Sequence, residues 1–158
     1  MKIKPIDIIA HPVHFLSLGL GSGLSPKAPG TVGTVMALVI YYLVLRDLSL
    51  ELYLLVLAVS IIVGIWLCDR TAKALGAHDH PAIVWDEFAG LWLALVVLPV
   101  GWYWPLLGFI IFRVFDIAKP WPISWLDKKV HGGLGIMVDD LLAGLFTLAA
   151  LQLLALVL

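Results

Sequence analysis

The sequence predicts an all-α integral membrane helical bundle of about five membrane-embedded helical segments, built as a single domain over residues 1–158. Three observations predict it. Of the 158 residues, 62% are hydrophobic and 13% charged, whereas a soluble domain is about half apolar and a quarter charged. Four stretches carry no charge, Gly30–Leu45, Leu52–Cys68, Phe88–Phe112 and Leu141–Leu158, and they approach the roughly 20 residues that a helix needs to cross a bilayer core. The charged residues fall almost entirely in the connections between them. This balance excludes a water-soluble globule and a disordered tail. A formal net charge of −1 removes the basic field expected of a nucleic-acid binder. The lone Cys68 excludes a disulfide framework and a thiolate zinc cluster. It also excludes a cysteine phosphatase, since the arginine required six places on is Ala74.

The N-terminal arm contains Asp7, His11 and His14 and does not read as a cleavable secretory signal. The first two apolar stretches each predict one helix. The third is long, and Pro99, Gly101 and Pro105 interrupt it. Proline removes a helical donor and clashes with the preceding turn, so a helical hairpin is expected there. Its fourth segment, from Pro105 to about Phe115, is expected to be too short to cross alone. The hairpin tip Trp102-Tyr103-Trp104 has the amphipathic rings favoured at a membrane–water interface. Trp121, Trp125 and Val130, with Lys128 and Lys129, predict an interfacial amphipathic segment before the last helix.

Five crossings place the N-terminal arm, Asp69–Glu87 and Arg113–Asp140 on one side. Nine of the ten Lys and Arg lie there, and only Arg46 lies on the other. By the positive-inside rule that side is cytoplasmic. The polar chemistry is therefore expected on the cytoplasmic face of a multi-pass protein. A transporter would instead spread its charges along a pathway at mid-membrane.

Two carboxylate pairs, Asp86-Glu87 and Asp139-Asp140, are each expected at the start of an apolar helix. One acid at a helix start is explained as a cap favoured by the macrodipole. An adjacent pair adds mutual repulsion, and two such pairs ask for a cation. Hard oxygen ligands point to Mg²⁺. A short echo links the pairs: Asp86 is followed by Ala89-Gly90, and Asp140 by Ala143-Gly144, at the same spacing. Residues three and four apart share a helix face, and small residues let two membrane helices approach closely. Two parallel helices packed through these faces would bring Asp86 and Asp140 together.

Arg113, Asp116 and Lys119 recur at steps of three before Pro120. On spacing alone they form either a solvated ion-pair ladder with snorkelling cations or a phosphate clamp. The Gly- and Pro-rich run 19–34 leads into the first apolar helix, where exposed backbone amides favour anions. It lacks the Gly-Lys-Ser/Thr ending of a P-loop. His78-Asp79-His80 does not have metal-ligand spacing within a helix and reads as a polar loop. His131 precedes a glycine-rich loop leading to Asp139.

Four motifs together resemble one family. They are Gly-Ser-Gly-Leu-Ser-Pro-Lys-Ala-Pro-Gly-Thr-Val-Gly-Thr (21–34), His-Asp-His-Pro-Ala-Ile-Val-Trp-Asp-Glu-Phe-Ala-Gly (78–90), Phe-Arg-Val-Phe-Asp-Ile-Ala-Lys-Pro-Trp-Pro-Ile (112–123) and Gly-Gly-Leu-Gly-Ile-Met-Val-Asp-Asp-Leu-Leu-Ala-Gly (132–144). In this order they are similar to the phosphatidylglycerophosphatase A family of bacterial inner-membrane lipid phosphatases. The pattern of the alcohol phosphatidyltransferases is absent. The resemblance implies Mg²⁺-dependent hydrolysis of phosphatidylglycerophosphate to phosphatidylglycerol and phosphate, at a site facing the cytoplasm. It implies a lipid substrate and a bilayer as partners, and neither nucleic acid nor a partner protein. Combined with the motifs, the expected catalytic residues are Asp86, Asp116 and Asp140. The expected phosphate-binding residues are Arg113, Lys119, Lys27, Thr31 and Thr34. The expected metal ligands are Asp86, Glu87, Asp139 and Asp140, with Asp79 and His131 supporting them.

Overall fold

The computed structural model describes residues 3–158; Lys2, counted above among the cytoplasmic cations, lies outside them. The described chain is helical, without strands. Two short helices, α1 (Pro5–Ile8) and α2 (Pro12–Ser17), precede a tight turn over Gly19–Leu24. The long elements are α3 (Pro29–Leu43), α4 (Leu50–Leu75), α5 (Trp85–Ala94), α6 (Tyr103–Ala118) and α8 (Gly132–Ala155), with α7 (Ile123–Lys129) between the last two. Pro29 begins α3, where a missing N–H costs nothing. Ser49 caps α4, and Gly76 ends it in the left-handed region at φ 65°.

Three helical stretches are long and apolar enough to cross a membrane: Pro29–Asp47, Leu50–Leu75 and Gly132–Ala155. The interrupted stretch forms a helical hairpin, but the arm expected to be too short to cross alone, the one from Pro105, is the longer of the two. Its first arm is the shorter, since α5 has 10 residues and spans only about 15 Å. Its second arm, α6, has 16 residues. It starts two residues before Pro105, which sits in the first turn where no intrahelical donor is needed. Between them the chain from Leu95 to Trp102 is irregular. Non-helical backbone next to lipid must have its polar groups satisfied from within the protein. Two side chains do this, and a third satisfies the last turn of α5. Tyr53 Oη donates to the Trp92 carbonyl (2.7 Å), Gln152 Nε2 to that of Val97, and Tyr42 Oη to that of Trp102 (2.6 Å). At the tip Trp102 and Tyr103 are exposed as expected, but Trp104 is buried in the core.

The central contact is α5 against α8, with α4 packed along both. Phe88 and Leu91 of α5, Phe112 of α6 and Leu151 of α8 are fully buried in one core cluster. The α5 indoles bind it to its neighbours: Trp92 Nε1 donates to the Ala37 carbonyl and Trp85 Nε1 to that of Ser60, each at 3.0 Å. α7 buries Ile123 while Trp121 and Trp125 remain exposed, the amphipathic arrangement its sequence predicts.

Candidate active site

The two acidic pairs occupy different places in their helices. α5 starts at Trp85, so Asp86 and Glu87 lie in its first turn, yet neither caps it: its N-cap, Val84, has no side-chain cap bond. α8 starts at Gly132, so Asp139 and Asp140 lie two turns inside the helix. The macrodipole effect fades beyond the first turn, and capping does not account for this pair.

Glycine sets the distance between the helices. A Cβ added at Gly90 would stand 2.7 Å from the Asp140 carbonyl oxygen, and one at Gly144 would collide with the Gly90 carbonyl oxygen. The Ala-Gly echo is thus the contact surface between α5 and α8. It brings Asp86, Glu87 and Asp140 together, each offering a carboxylate oxygen within 4.8 Å of the others. All three residues are buried. Asp86 Oδ1, Glu87 Oε2 and Asp140 Oδ2 are buried without a hydrogen-bond partner. An uncompensated buried polar group costs roughly 1–3 kcal/mol, and a charged one more. Three clustered carboxylates with free oxygens are the donor set of a hard divalent cation, which would offset their repulsion and satisfy these atoms together.

The expected ladder on α6 divides. Arg113 forms an ion pair with Asp116, lies 3.8 Å from Glu87 Oε1, and donates through Nη2 to Thr31 Oγ1 at 3.3 Å. Its guanidinium therefore joins the acid cluster to the start of α3. Lys119 leaves the ladder. The residue before a proline disfavours the helical region, and Lys119 ends α6 in the left-handed region at φ 43°. Its Nζ donates to Asp139 Oδ2 at 2.8 Å and to Asp127 Oδ1 at 3.1 Å. Partial burial works against the ammonium charge, but the bonds and charges of Asp139 and Asp127 outweigh it and hold the pKa above the ordinary lysine value.

Several expected residues stand elsewhere. Asp139 is outside the three-acid group, because consecutive helical side chains point in different directions and its carboxylate faces Lys119. Its Oδ1 is nonetheless buried and unpartnered. Thr31 reaches the site, whereas Thr34 is fully buried and donates to the Gly30 carbonyl at 2.7 Å. Lys27 is exposed, and its side chain makes no hydrogen bond among the described residues. The preceding glycines serve packing: Gly19 lies against Val84, and Gly23 against the Ala82 carbonyl. Asp79 is exposed and lines a cavity with His78, Asp127 and Val130. The His131 ring meets that of His78 edge-on at 5.1 Å, and His78 Nε2 accepts from the Gly132 amide at 3.0 Å. These three form a rim beside the Lys119–Asp127 pair.

Two residues of the site escaped the sequence reading. Gly30 lies against Glu87 and Arg113, and a Cβ there would stand 3.4 Å from both guanidinium Nη atoms. Its place inside a recognised motif was its only signal. Asp127 shares Lys119 with Asp139 across a turn and a proline, a relation without periodicity.

The family model described as Phosphatidylglycerophosphatase A matches residues 15–155. The chain is 50% identical over 140 residues to Phosphatidylglycerophosphatase A of Escherichia coli (strain K12), covering 88% of this chain and 81% of the relative. It is 41% identical over 145 residues to the protein of that name from Haemophilus influenzae, covering 91% and 88%. No solved structure matches. With the family model spanning nearly the whole chain and both relatives covered over most of their length, the chain belongs to the phosphatidylglycerophosphatase A family, a family of phosphatases.

Proposed function

We propose that the chain, acting as one membrane-embedded domain, hydrolyses the terminal phosphate of phosphatidylglycerophosphate to give phosphatidylglycerol and phosphate. The buried cluster of Asp86, Glu87 and Asp140, with unpartnered oxygens beside Arg113, carries this reading. The relatives' names supply the substrate. Asp86, Glu87 and Asp140 are the residues that would hold Mg²⁺. When bound, the ion polarises a phosphoryl oxygen and lowers the pKa of water at the site.

The chain's own groups have separate tasks. Arg113 presents a planar fork to phosphoryl oxygens, with Asp116 and Thr31 fixing its orientation. Lys119 supplies a point charge from the opposite side of α6's end. Phosphoryl transfer passes through a loose transition state, so positioned charge carries most of the catalysis. Asp139 Oδ1, free while Lys119 holds Oδ2, accepts the proton that the attacking water loses. Asp116 as a nucleophile is a second reading, but its pairing with Arg113 favours the orienting role. Borohydride treatment of acid-quenched enzyme should leave Asp116 unreduced; homoserine at position 116 would establish an aspartyl-phosphate route.

The site faces the cytoplasm from the bacterial inner membrane, in keeping with nine of ten basic residues on that side. The chain crosses five times, the third crossing being α5 continued by the irregular Leu95–Trp102 segment. The decisive assay is phosphate release by purified protein in detergent, with Mg²⁺ and after chelation. Release from phosphatidylglycerophosphate that needs the cation is expected, and release unaffected by chelation would reject the metal site. Accessibility labelling at the C-terminus should report the periplasm; a cytoplasmic C-terminus would remove one crossing.

A further inference from the structure

A second cavity lies on the outer side of α4. It measures about 620 Å³ and is lined by His11, Val13 and His14 from the N-terminal arm and by Trp66, Arg70, Lys73 and Ala74 from α4. At about 100° per residue, Trp66, Arg70 and Lys73 share one helix face. Cys68, Ala72 and Leu75 are buried on the opposite face, where Cys68 Sγ meets Met137 Sδ of α8 at 4.0 Å. The body of α4 therefore separates this cavity from the acid cluster, and the cavity belongs to a different surface of the protein.

Its lining is built to receive an anion. Arg70 makes no ion pair among the described residues; its guanidinium lies 5.8 Å from the Trp66 ring centroid, an arrangement that leaves its N–H groups free. Lys73 is bound to Asp69 at 2.6 Å but is largely exposed. From the facing wall, His14 Nδ1 is within 2.9 Å of Thr71 Oγ1, which anchors that ring to α4, and the His11 ring lies 5.2 Å from it. Two cations, Arg70 and Lys73, thus face two imidazoles across the cavity, with one carboxylate, Asp69, paired to Lys73.

The position selects a lipid over a free ion. The cavity lies where α4 passes from its apolar body to its charged end, and half-exposed Trp66 marks that boundary. Val13 and Ala74 give it apolar walls beside the cations. Basic pockets at this depth bind anionic headgroups. We propose that this cavity binds the phosphate of an anionic phospholipid, at a site separate from the phosphatase centre.

The test uses the full chain in neutral detergent, with retained lipid counted by native mass spectrometry. Phosphatidylglycerol and phosphatidylcholine are the probes, and inorganic phosphate is the competitor. The wild type should retain phosphatidylglycerol in preference to phosphatidylcholine. R70Q/K73Q should lose that preference by roughly thirtyfold, as two cations near a headgroup warrant, while Arg113→Ala should keep it. Arg70→Gln alone breaks no ion pair and should give roughly a fivefold loss. Phosphatase activity within about twofold of wild type in both Arg70 variants would show that the fold and the catalytic centre are intact. Unchanged preference in the Arg70 variants, or its loss with Arg113→Ala, would overturn the proposal. Displacement of the lipid by millimolar inorganic phosphate would convert the cavity into a free-anion site and overturn it equally.

Discussion

Asp86-Glu87 and Asp139-Asp140 look alike in the sequence, but the structure uses them differently. In α5 both acids belong to the same buried cluster, Glu87 also lying beside Arg113. In α8 the pair divides, with Asp140 joining the cluster and Asp139 turning to Lys119. The cause is geometric. Adjacent residues on a helix point about 100° apart, so a pair converges only when cationic and acidic partners surround it on both sides. α5 is enclosed by α3, α4, α6 and α8, whereas the Asp139 side of α8 meets the end of α6 and α7. Adjacent acids are therefore not one functional unit by virtue of adjacency.

The largest expected effect breaks the shared cluster. Asp86→Asn and Asp140→Asn should each lower Mg²⁺-dependent phosphate release roughly a thousandfold. The double variant should cost far less than the sum, since the two groups act as a unit. Stability should move the other way. In chelator, each single variant removes one of three crowded negative charges, so its Tm should rise above wild type, while the Tm gain on adding Mg²⁺ should shrink. Additive losses, with an unchanged Mg²⁺ response, would leave the carboxylates without a common cation.

Asp139→Asn sharpens the division within α8. It should lower turnover roughly a hundredfold yet leave the Mg²⁺ concentration for half-maximal activity unchanged. A shift of that midpoint equal to the one in Asp140→Asn would return Asp139 to the metal ligands. Lys119 is not expected to titrate in the working range. Its raised pKa means that its ion pairs stabilise fully below the ordinary lysine value and weaken only as pH rises through the higher one. Bulk at the helix contact acts more diffusely. Gly144→Val places side-chain carbon against the Gly90 carbonyl, and overpacking of this kind costs about 1–3 kcal/mol. Tm and activity should fall together, unlike in Asp86→Asn.

Much of this was legible in the sequence where one rule governed the outcome. Apolar length marked α3, α4 and α8. The repeated Ala-Gly spacing located the α5–α8 contact, because glycine leaves few other ways for two helices to approach. The placement of Lys119 was hidden, since the step of three assumed a helix that Pro120 ends one residue early. That α5 is the shorter arm of the hairpin was hidden too. Tyr42, Tyr53 and Gln152, which satisfy its last turn and the irregular backbone after it, lie about 40 to 60 residues away in sequence. Thr34 occupied a motif position, but helical phase turned it inward. Local pattern reports what a segment prefers, and these outcomes depend on what a distant segment supplies.

The smallest expected effect concerns the start of α3 and the loop before it, where the sequence places two phosphate-binding candidates four residues apart. Thr31 touches Arg113, and Lys27 is exposed with no side-chain bond. An exposed ammonium acts on an anionic substrate only through screened attraction, over a Debye length of about 8 Å at physiological salt. Lys27→Gln should therefore raise KM by roughly two- to threefold at low ionic strength. That effect should vanish near 0.5 M salt, with kcat unchanged throughout. Thr31→Val, by contrast, releases a contact of the buried guanidinium and should lower kcat severalfold at any salt concentration. A large, salt-independent loss of kcat in Lys27→Gln would mean that the loop closes over the phosphate during turnover, placing Lys27 beside Arg113 as a direct ligand.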